Sequence, residues 1–285
     1  MQPVLRIAIQ KSGRLQEGSL ELLKESGLSF SNGHQLKTTA RNFPVEILFL
    51  RDDDIPQYVE DQVADIGIVG ENIYAEKQKK NKLVKRLDFA KCRLSIAIPR
   101  ADSFAGIQSL QGKNIATSYP NILKNFLASR NVEAGIHEIS GSVEIAPGIG
   151  LADAIFDIVS TGSTLLSNGL KEVEVVMNSE AVIIASPDLS LEKQNILDKL
   201  LFRIEAVKKA KNNKYILLNC PNTAIDPITS VIPGMKSPTI IPLKREGWSS
   251  LHSVVDENDF WEKIDQLKSF GAEGILVVAI EKMIV

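Results

Sequence analysis

The chain has little of what metal centres and disulfide frameworks are built from: 2 cysteines and 3 histidines in 285 residues. Cys92 and Cys220 are isolated, and His34, His137 and His252 are equally scattered, so neither set forms a ligand-spaced cluster. That argues against a disulfide framework and a structural zinc site, and predicts a reduced, cytoplasmic protein. An excess of either charge is also missing. With 33 Lys and Arg against 35 Asp and Glu the net charge is −2, which gives no electrostatic case for nucleic acid. The basic run from Lys77 to Arg86 has no interleaved aromatics and reads as a solvated helix end. No apolar stretch approaches the roughly 18 residues that cross a bilayer, so no membrane partner is expected. Met1 to Ile9 goes straight into a strand pattern without the apolar core of a leader, which predicts no signal peptide. Internal repeats and low-complexity tracts are lacking as well.

What remains is an ordinary globular composition, 44% hydrophobic and 24% charged, on a chain long enough for two domains and a small third. Val4 to Gln10 reads as a buried strand, followed by Lys11-Ser12-Gly13-Arg14 and a helix that Gly27 stops. A strand from Val45 to Leu50 leads to Arg51-Asp52-Asp53-Asp54 and a short helix near Pro56, which the three carboxylates are expected to cap. Ala64 to Gly70 is another buried strand. After Cys92 to Pro99 the pattern restarts with strands at 114–118 and 136–139 and a helix at 121–129. The alternation predicts α/β lobes on mainly parallel sheets, joined by two crossing strands at 93–98 and 181–186. That is the architecture of hinged two-lobe folds, with the ligand in the cleft.

The most informative stretch is 144–165. An apolar run from Ala154 to Val159 carries one acidic residue, Asp157, then breaks into Ser160-Thr161-Gly162-Ser163-Thr164 ahead of a helical segment. Backbone N–H groups and hydroxyls converging at a helix start suit an anion. Gly162, without a Cβ, lets the backbone approach that anion, and Asp157 points a carboxylate toward whatever carries it. A Thr-Gly-x-Thr turn by itself reads first as a helix cap, since Ser and Thr are good N-caps in any protein.

A long helix with Leu191, Leu197, Leu200, Leu201, Ile204 and Val207 on one face gives way to the polar stretch 208–214, read as a domain boundary. Beyond it the order is β-α-β-β-α-β, a ferredoxin-like unit. Its second helix is expected to be capped by Asn258, to bury Phe260, Trp261, Ile264, Leu267 and Phe270, and to stop at Gly271.

The spacing Glu144, Gly150, Ala152, Ile155, Asp157, Thr161-Gly162-x-Thr164-Leu165 resembles the signature segment of ATP phosphoribosyltransferases. The resemblance extends to Gln10-Lys11-Ser12-Gly13-Arg14-Leu15, Arg51 to Pro56, Gly67 to Asn72, Arg86 to Phe89, Cys92-Arg93-Leu94, Ala116 to Pro120, Asn168 to Leu170 with Glu172-Val173-Glu174, and the tail from Gly274 to Met283. It implies a two-lobe, periplasmic-binding-protein-like catalytic core with a ferredoxin-like, ACT-like regulatory domain, the long form of the family. The domains would be lobe I at 1–98 completed by 180–211, lobe II at 99–179, and a regulatory domain at 212–285. The implied reaction joins adenine N1 of ATP to C1 of phosphoribosyl pyrophosphate with loss of pyrophosphate, the first step of histidine biosynthesis, aided by Mg²⁺ and inhibited by histidine.

Under that resemblance Glu144, Asp157, Ser160, Thr161, Gly162, Ser163 and Thr164 bind phosphoribosyl pyrophosphate. Lys11, Arg14, Gly70 and Glu71 contact ATP or pyrophosphate. Asp157, Arg14 and Lys11 carry the catalysis, and Asp157 and Glu144 are candidates for the metal. Arg14 suits bidentate phosphate contact and Lys11 a point charge, although the same turn read alone is a surface turn. Asn219, Met235, Thr239 and Ser253 would line the histidine site, with Met235 as core filler the plainer reading. The family forms dimers and hexamers, so a homo-oligomer is expected. Two other classes fit the architecture: a non-enzymatic hinged solute-binding protein, and an amino-acid sensor without activity.

Overall fold

In the computed structural model, residues 3–31 and 36–284 are described, and His34 lies outside them. The chain divides into two compact units, Met1–Glu21 with Leu28–Ile196, and Leu22–Gly27 with Leu197–Val285.

The first unit holds two sheets. In chain order its elements are β1 (Leu5–Gln10), α1 (Arg14–Glu25, which runs on into the second unit), β2 (Lys37–Thr39), β3 (Val45–Leu50), α2 (Ile55–Glu60), β4 (Ile66–Gly70), α3 (Glu71–Lys77), β5 (Lys82–Arg86), β6 (Cys92–Pro99), β7 (Asn114–Thr117), α4 (Pro120–Ser129), β8 (Gly135–Glu138), β9 (Ala154–Val159), α5 (Ser163–Ser167), β10 (Leu170–Ser179) and β11 (Ala181–Ala185). Lobe I is the sheet β2-β3-β1-β4-β11-β5, and lobe II is β10-β6-β9-β7-β8. Each has three adjacent parallel strands, β3-β1-β4 and β8-β7-β9, and every pairing outside those trios is antiparallel. The sheets are therefore mixed, where the alternating pattern had predicted mainly parallel ones. Strands returning from the other lobe enter each sheet from the opposite direction.

The chain crosses between lobes twice, after β5 and after β10, and the crossings run side by side. Leu87 N–H donates to Ala181 O at 2.9 Å, and Ala181 N–H to Phe89 O at 2.9 Å. The basic run at 77–86 is no helix end beyond Lys77: its second half is the edge strand β5. Lysines are well tolerated on sheet edges, where they discourage further pairing.

Strands buried on both faces explain the apolar runs. Ile7, Ala8, Ile9, Ile66, Ile68, Val69, Ile183 and Ile184 are all at or near zero exposure. In lobe II a cluster around Leu94, Ile96, Ile115, Leu123 and Phe156 packs α4 against the sheet.

The second unit takes the rest of α6 (Leu191–Lys211) from Leu197, then β12 (Asn213–Pro221), α7 (Ile225–Val231), β13 (Thr239–Pro242), β14 (Trp248–Asp256), α8 (Glu257–Ser269) and β15 (Glu273–Ala279). Helix α6 does not dissolve at 208, as the polar stretch suggested; lysine is a good helix former and is favoured at a helix C-terminus. Leu191, expected on its buried face, is 77% exposed. The sheet order β13-β14-β12-β15 is that of a ferredoxin-like unit. Ile216, Leu218, Leu251, Ile228, Phe260 and Leu267 form its core. Helix α8 is capped by Asp256, whose side chain accepts from Asn258 N at 2.9 Å, and not by Asn258. Asp256 holds the extended conformation an N-cap needs, φ −60° and ψ 139°. Trp261, expected in the core, is 61% exposed.

Candidate active site

Ligands of open α/β sheets bind at the carboxyl ends of parallel strands. In lobe I those ends release Lys11–Gly13 after β1 and Arg51–Asp54 after β3, while β4 ends on Gly70 and passes directly into α3. Lys11 N–H donates to Leu50 O at 2.8 Å, tying the first segment to the second. In lobe II they release Ser118-Tyr119, residues 139–145 and residues 160–162. Ile139 N–H donates to Thr117 O at 3.0 Å and Ser118 Oγ to Ile139 O at 2.7 Å.

The two edges meet through α3 and α4. Asn72 Nδ2 donates to the Tyr119 hydroxyl at 3.2 Å, and Ser179 Oγ donates to Asn72 Oδ1 at 2.9 Å. The buried Glu76 carboxylate accepts from Asn121 N and Ile122 N, both at 2.9 Å. An acidic side chain of lobe I thus occupies the first-turn amides of a lobe II helix, where the helix dipole favours it.

Two turns stand out. Gly13 has φ +90° directly before Arg14, the first residue of α1, and Gly162 has φ +81° directly before Ser163, the first of α5. A side chain at either φ is strained, so glycine makes each abrupt strand-to-helix entry feasible. Around Gly162 the side chains of Ser160, Thr161, Ser163 and Thr164 are all exposed, with Thr161 Oγ1 3.0 Å from Ser163 Oγ. Lys11 and Arg14 are exposed, and neither has an ion-pair partner among the described residues.

Asp157 sits on β9 opposite Ser95 of β6. Burial pushes its carboxyl up to about 6, against a 2.8 Å hydrogen bond from Ile158 N–H, and the negative charge of Glu144 adds to the rise. Glu144 lies on a short 3-10 turn, Val143–Ile145. The phenol of Tyr119 is held well above its ordinary value, by burial first and then by Asp157, with Asp53 and Asp52 contributing and the Asn72 hydrogen bond opposing. One phenol that senses Asp157 of lobe II and Asp52 and Asp53 of lobe I places both edges in a single acidic neighbourhood.

The remaining residues divide. Asp54 occupies the N-cap position of α2 without a side-chain capping bond, because φ −87° and ψ −24° already place it in a helical turn; Asp53 pairs instead with Lys77 at 3.1 Å. Both carboxylate oxygens of Glu71 are taken by Arg86. A Cβ on Gly70 would come within 2.2 Å of Asn72 Oδ1, so packing alone accounts for that glycine. In the second unit Asn219 pairs with Ser250, whereas Ser253 pairs with Ile216. The alternation of a strand therefore puts Asn219 on the face away from the helices and Ser253 on the face toward them. Ser253 is buried and donates to Ile232 O at 3.1 Å, Met235 is 48% exposed, and Thr239 opens β13. Asn219 and Ser253 therefore lie on opposite faces of the same sheet.

Tyr119, Asn72, Glu76, Arg93 and Glu172 were not read as site residues. All but Glu76 lie in the segments that carry the family resemblance, but no local pattern marks their role. Their partners are 45 to 107 residues away.

Two α/β lobes on paired crossings, each offering a strand-end turn to a shared acidic edge, define a periplasmic-binding-protein-like core, here followed by a ferredoxin-like unit. Residues 51–206 match the family model described as HisG: ATP phosphoribosyltransferase, and residues 210–282 match HisG, C-terminal domain. The ATP phosphoribosyltransferase of Cytophaga hutchinsonii is 64% identical over 285 residues, covering 100% of both chains. A solved ATP phosphoribosyl transferase (HisG:HisZ) complex from Thermotoga maritima contains a chain 29% identical, with a TM-score of 0.61 over 71% of this chain and 99% of that one. The L-arginine-bound Tv2483 shares the fold at 11% identity and a TM-score of 0.51, over 72% of this chain and 85% of that one. The chain belongs to the ATP phosphoribosyltransferase family in its long form, and is a pentosyltransferase of histidine biosynthesis. No helix among the described residues is long and apolar enough to cross a membrane.

Proposed function

We propose that the turn at 160–164 holds the 5-phosphate of phosphoribosyl pyrophosphate while Lys11 and Arg14 hold the phosphates of ATP and the departing pyrophosphate. Adenine N1 bonds to the sugar C1 as the C1–O bond to pyrophosphate breaks, and its electron pair leaves with pyrophosphate. Such a step needs positioning and stabilisation of a leaving anion more than a protein nucleophile. The observation that carries the reading is the pair of glycine turns: one is rich in exposed hydroxyls, the other in unpaired cations, and both lie at strand ends of the same unit. Asp157 accepts a ribose hydroxyl.

Asp157 and Glu144 are the residues that would hold a magnesium ion. Two neighbouring carboxylates suit Mg²⁺, which takes one or two such oxygens and completes its shell with substrate phosphates and water. Bound there, Mg²⁺ would neutralise charge on the pyrophosphate. The lobes in this reading are the two sheets, so the expected boundary of 1–98 with 180–211 against 99–179 moves: β6 (Cys92–Pro99) pairs within lobe II, and α6 from Leu197 belongs to the second unit. The domain at 212–285 is the histidine-responsive module; its support is the ferredoxin-like topology and the family match at 210–282. A homo-oligomer in the cytoplasm is part of the same proposal.

The test is pyrophosphate release from a mixture of ATP, phosphoribosyl pyrophosphate and Mg²⁺, repeated with histidine and with a chain truncated after residue 211. Release that needs both substrates, falls with histidine, and escapes histidine on truncation supports the proposal. Histidine sensitivity that survives truncation defeats the regulatory part, and absence of release from the full chain defeats the whole.

A further inference from the structure

Beside the phosphate turn, on the same face of the lobe II sheet as Asp157, lies a cluster with no role in the account so far. Arg93 on β6 is opposite Val159, and Ser95 is opposite Asp157. On the other side β10 brings Glu172 opposite Ala97. Arg93 donates to Glu172 through two nitrogens, Nε to Oε1 at 2.5 Å and Nη2 to Oε2 at 2.6 Å, and Ser95 Oγ donates to Oε1 at 2.6 Å. The third nitrogen, Nη1, donates to the carbonyl oxygen of Ser160 at 3.2 Å. Arg93 is a third exposed and Glu172 a quarter, so the pair sits at the rim of the sheet.

The contact to Ser160 matters because a trans peptide is planar, with its C=O and the following N–H pointing in opposite directions. Fixing the Ser160 carbonyl toward Arg93 aims the Thr161 N–H the other way. That N–H belongs to the turn we assign to the substrate phosphate. A bidentate guanidinium–carboxylate pair has little freedom to swing, and Ser95, buried at 1% exposure, holds the carboxylate from a third direction. Lysine could keep the charge but could not hold Glu172 with two parallel bonds and Ser160 with a third.

We propose that Arg93, clamped by Glu172 and Ser95, is a positioning residue that sets the phosphate turn for phosphoribosyl pyrophosphate. It acts through the Ser160 peptide and not by touching substrate. The proposal rests on the reading of 160–164 as the phosphate cradle.

The experiment measures both KM values, kcat and thermal stability for Arg93→Lys, Glu172→Gln and Thr161→Val in the full chain. Arg93→Lys should raise the KM for phosphoribosyl pyrophosphate about tenfold, the scale of one lost charge-assisted bond. The KM for ATP should stay within about twofold and kcat within about threefold, because the loss is in binding one substrate. Glu172→Gln keeps the side-chain shape and should give a smaller rise of about threefold. An unchanged phosphoribosyl pyrophosphate KM in both variants overturns the proposal, as does an equal rise in both KM values accompanied by a collapse of the melting temperature. Should Arg93→Lys fail to fold, Glu172→Gln decides alone. Thr161→Val separates the two claims. If it raises the KM while the Arg93 and Glu172 variants do not, only the positioning role falls; if it too leaves the KM unchanged, the cradle reading falls.

Discussion

The turn after β1 and the turn after β9 have the same backbone plan and opposite chemistry. Each leaves a strand in a parallel trio, passes a glycine with φ of +90° or +81°, and enters a helix at the next residue. The first carries Lys11 and Arg14; the second carries Ser160, Thr161, Ser163 and Thr164. A cation reaches over several ångströms and is screened by salt, whereas a hydroxyl or amide acts only at hydrogen-bonding distance and has little salt dependence. The difference suits two ligands: a flexible polyphosphate gathered by charge, and one terminal phosphate gripped in a fixed place.

The comparison is most exposed to Arg14→Gln. Loss of a charged donor to a leaving group should lower kcat/KM about a hundredfold or more, with a shallower dependence on ionic strength, read by pyrophosphate release. An equally shallow salt dependence in Thr161→Val would mean that the two turns work by the same means.

A second contrast is titration. If Asp157 must be ionised to accept the ribose hydroxyl, kcat/KM for phosphoribosyl pyrophosphate should fall below about pH 6, where its carboxyl gains a proton. Asp157→Asn should remove that limb along with most activity. The stability sign is the reverse. A carboxyl raised from 3.8 to about 6 holds its proton in the folded state after the unfolded chain has lost it, so it lowers stability as pH rises through that interval. At pH 7, without ligand, Asp157→Asn should therefore be more stable than the parent by about 1 to 3 kcal/mol, measured by denaturant titration.

The smallest expected effect sharpens the likeness. A Cβ on Gly13 would meet nothing nearer than 4.0 Å, and on Gly162 nothing nearer than 3.9 Å, so only the backbone angle opposes alanine at either place. Gly13→Ala and Gly162→Ala should each cost about 1 to 2 kcal/mol. Costs that differ by more than about 1 kcal/mol in thermal melts would show that the two backbones are not equivalent.

Much of this was legible in the chain. The turn at 160–164 is contiguous, and its residue types, a glycine among hydroxyls at a helix start, were enough to single it out. The ferredoxin-like order could be read from strand and helix periodicity alone. Other expectations failed where the local pattern allowed two outcomes. Asn258 and Asp256 are both good caps, and only the extended backbone at 256 selects between them. Trp261 follows Phe260 by one residue and points away from the face that Phe260 buries. The lysines at 82 and 85 suit a solvated helix and an edge strand equally, and pairing with β11 made the strand.

The sequence by itself determined the order of elements in the ferredoxin-like unit, the two glycine turns and the membership of the family. These depend on residues that are neighbours along the chain, where φ, capping and hydrophobic period are set. Tertiary structure alone decided that Asp157 holds a proton up to about pH 6, that Glu71 is spent on Arg86 while Arg14 stays open, and that Arg93 reaches Ser160. Burial and ion pairing are sums over everything within a few ångströms, and most of those atoms belong to residues far away in sequence.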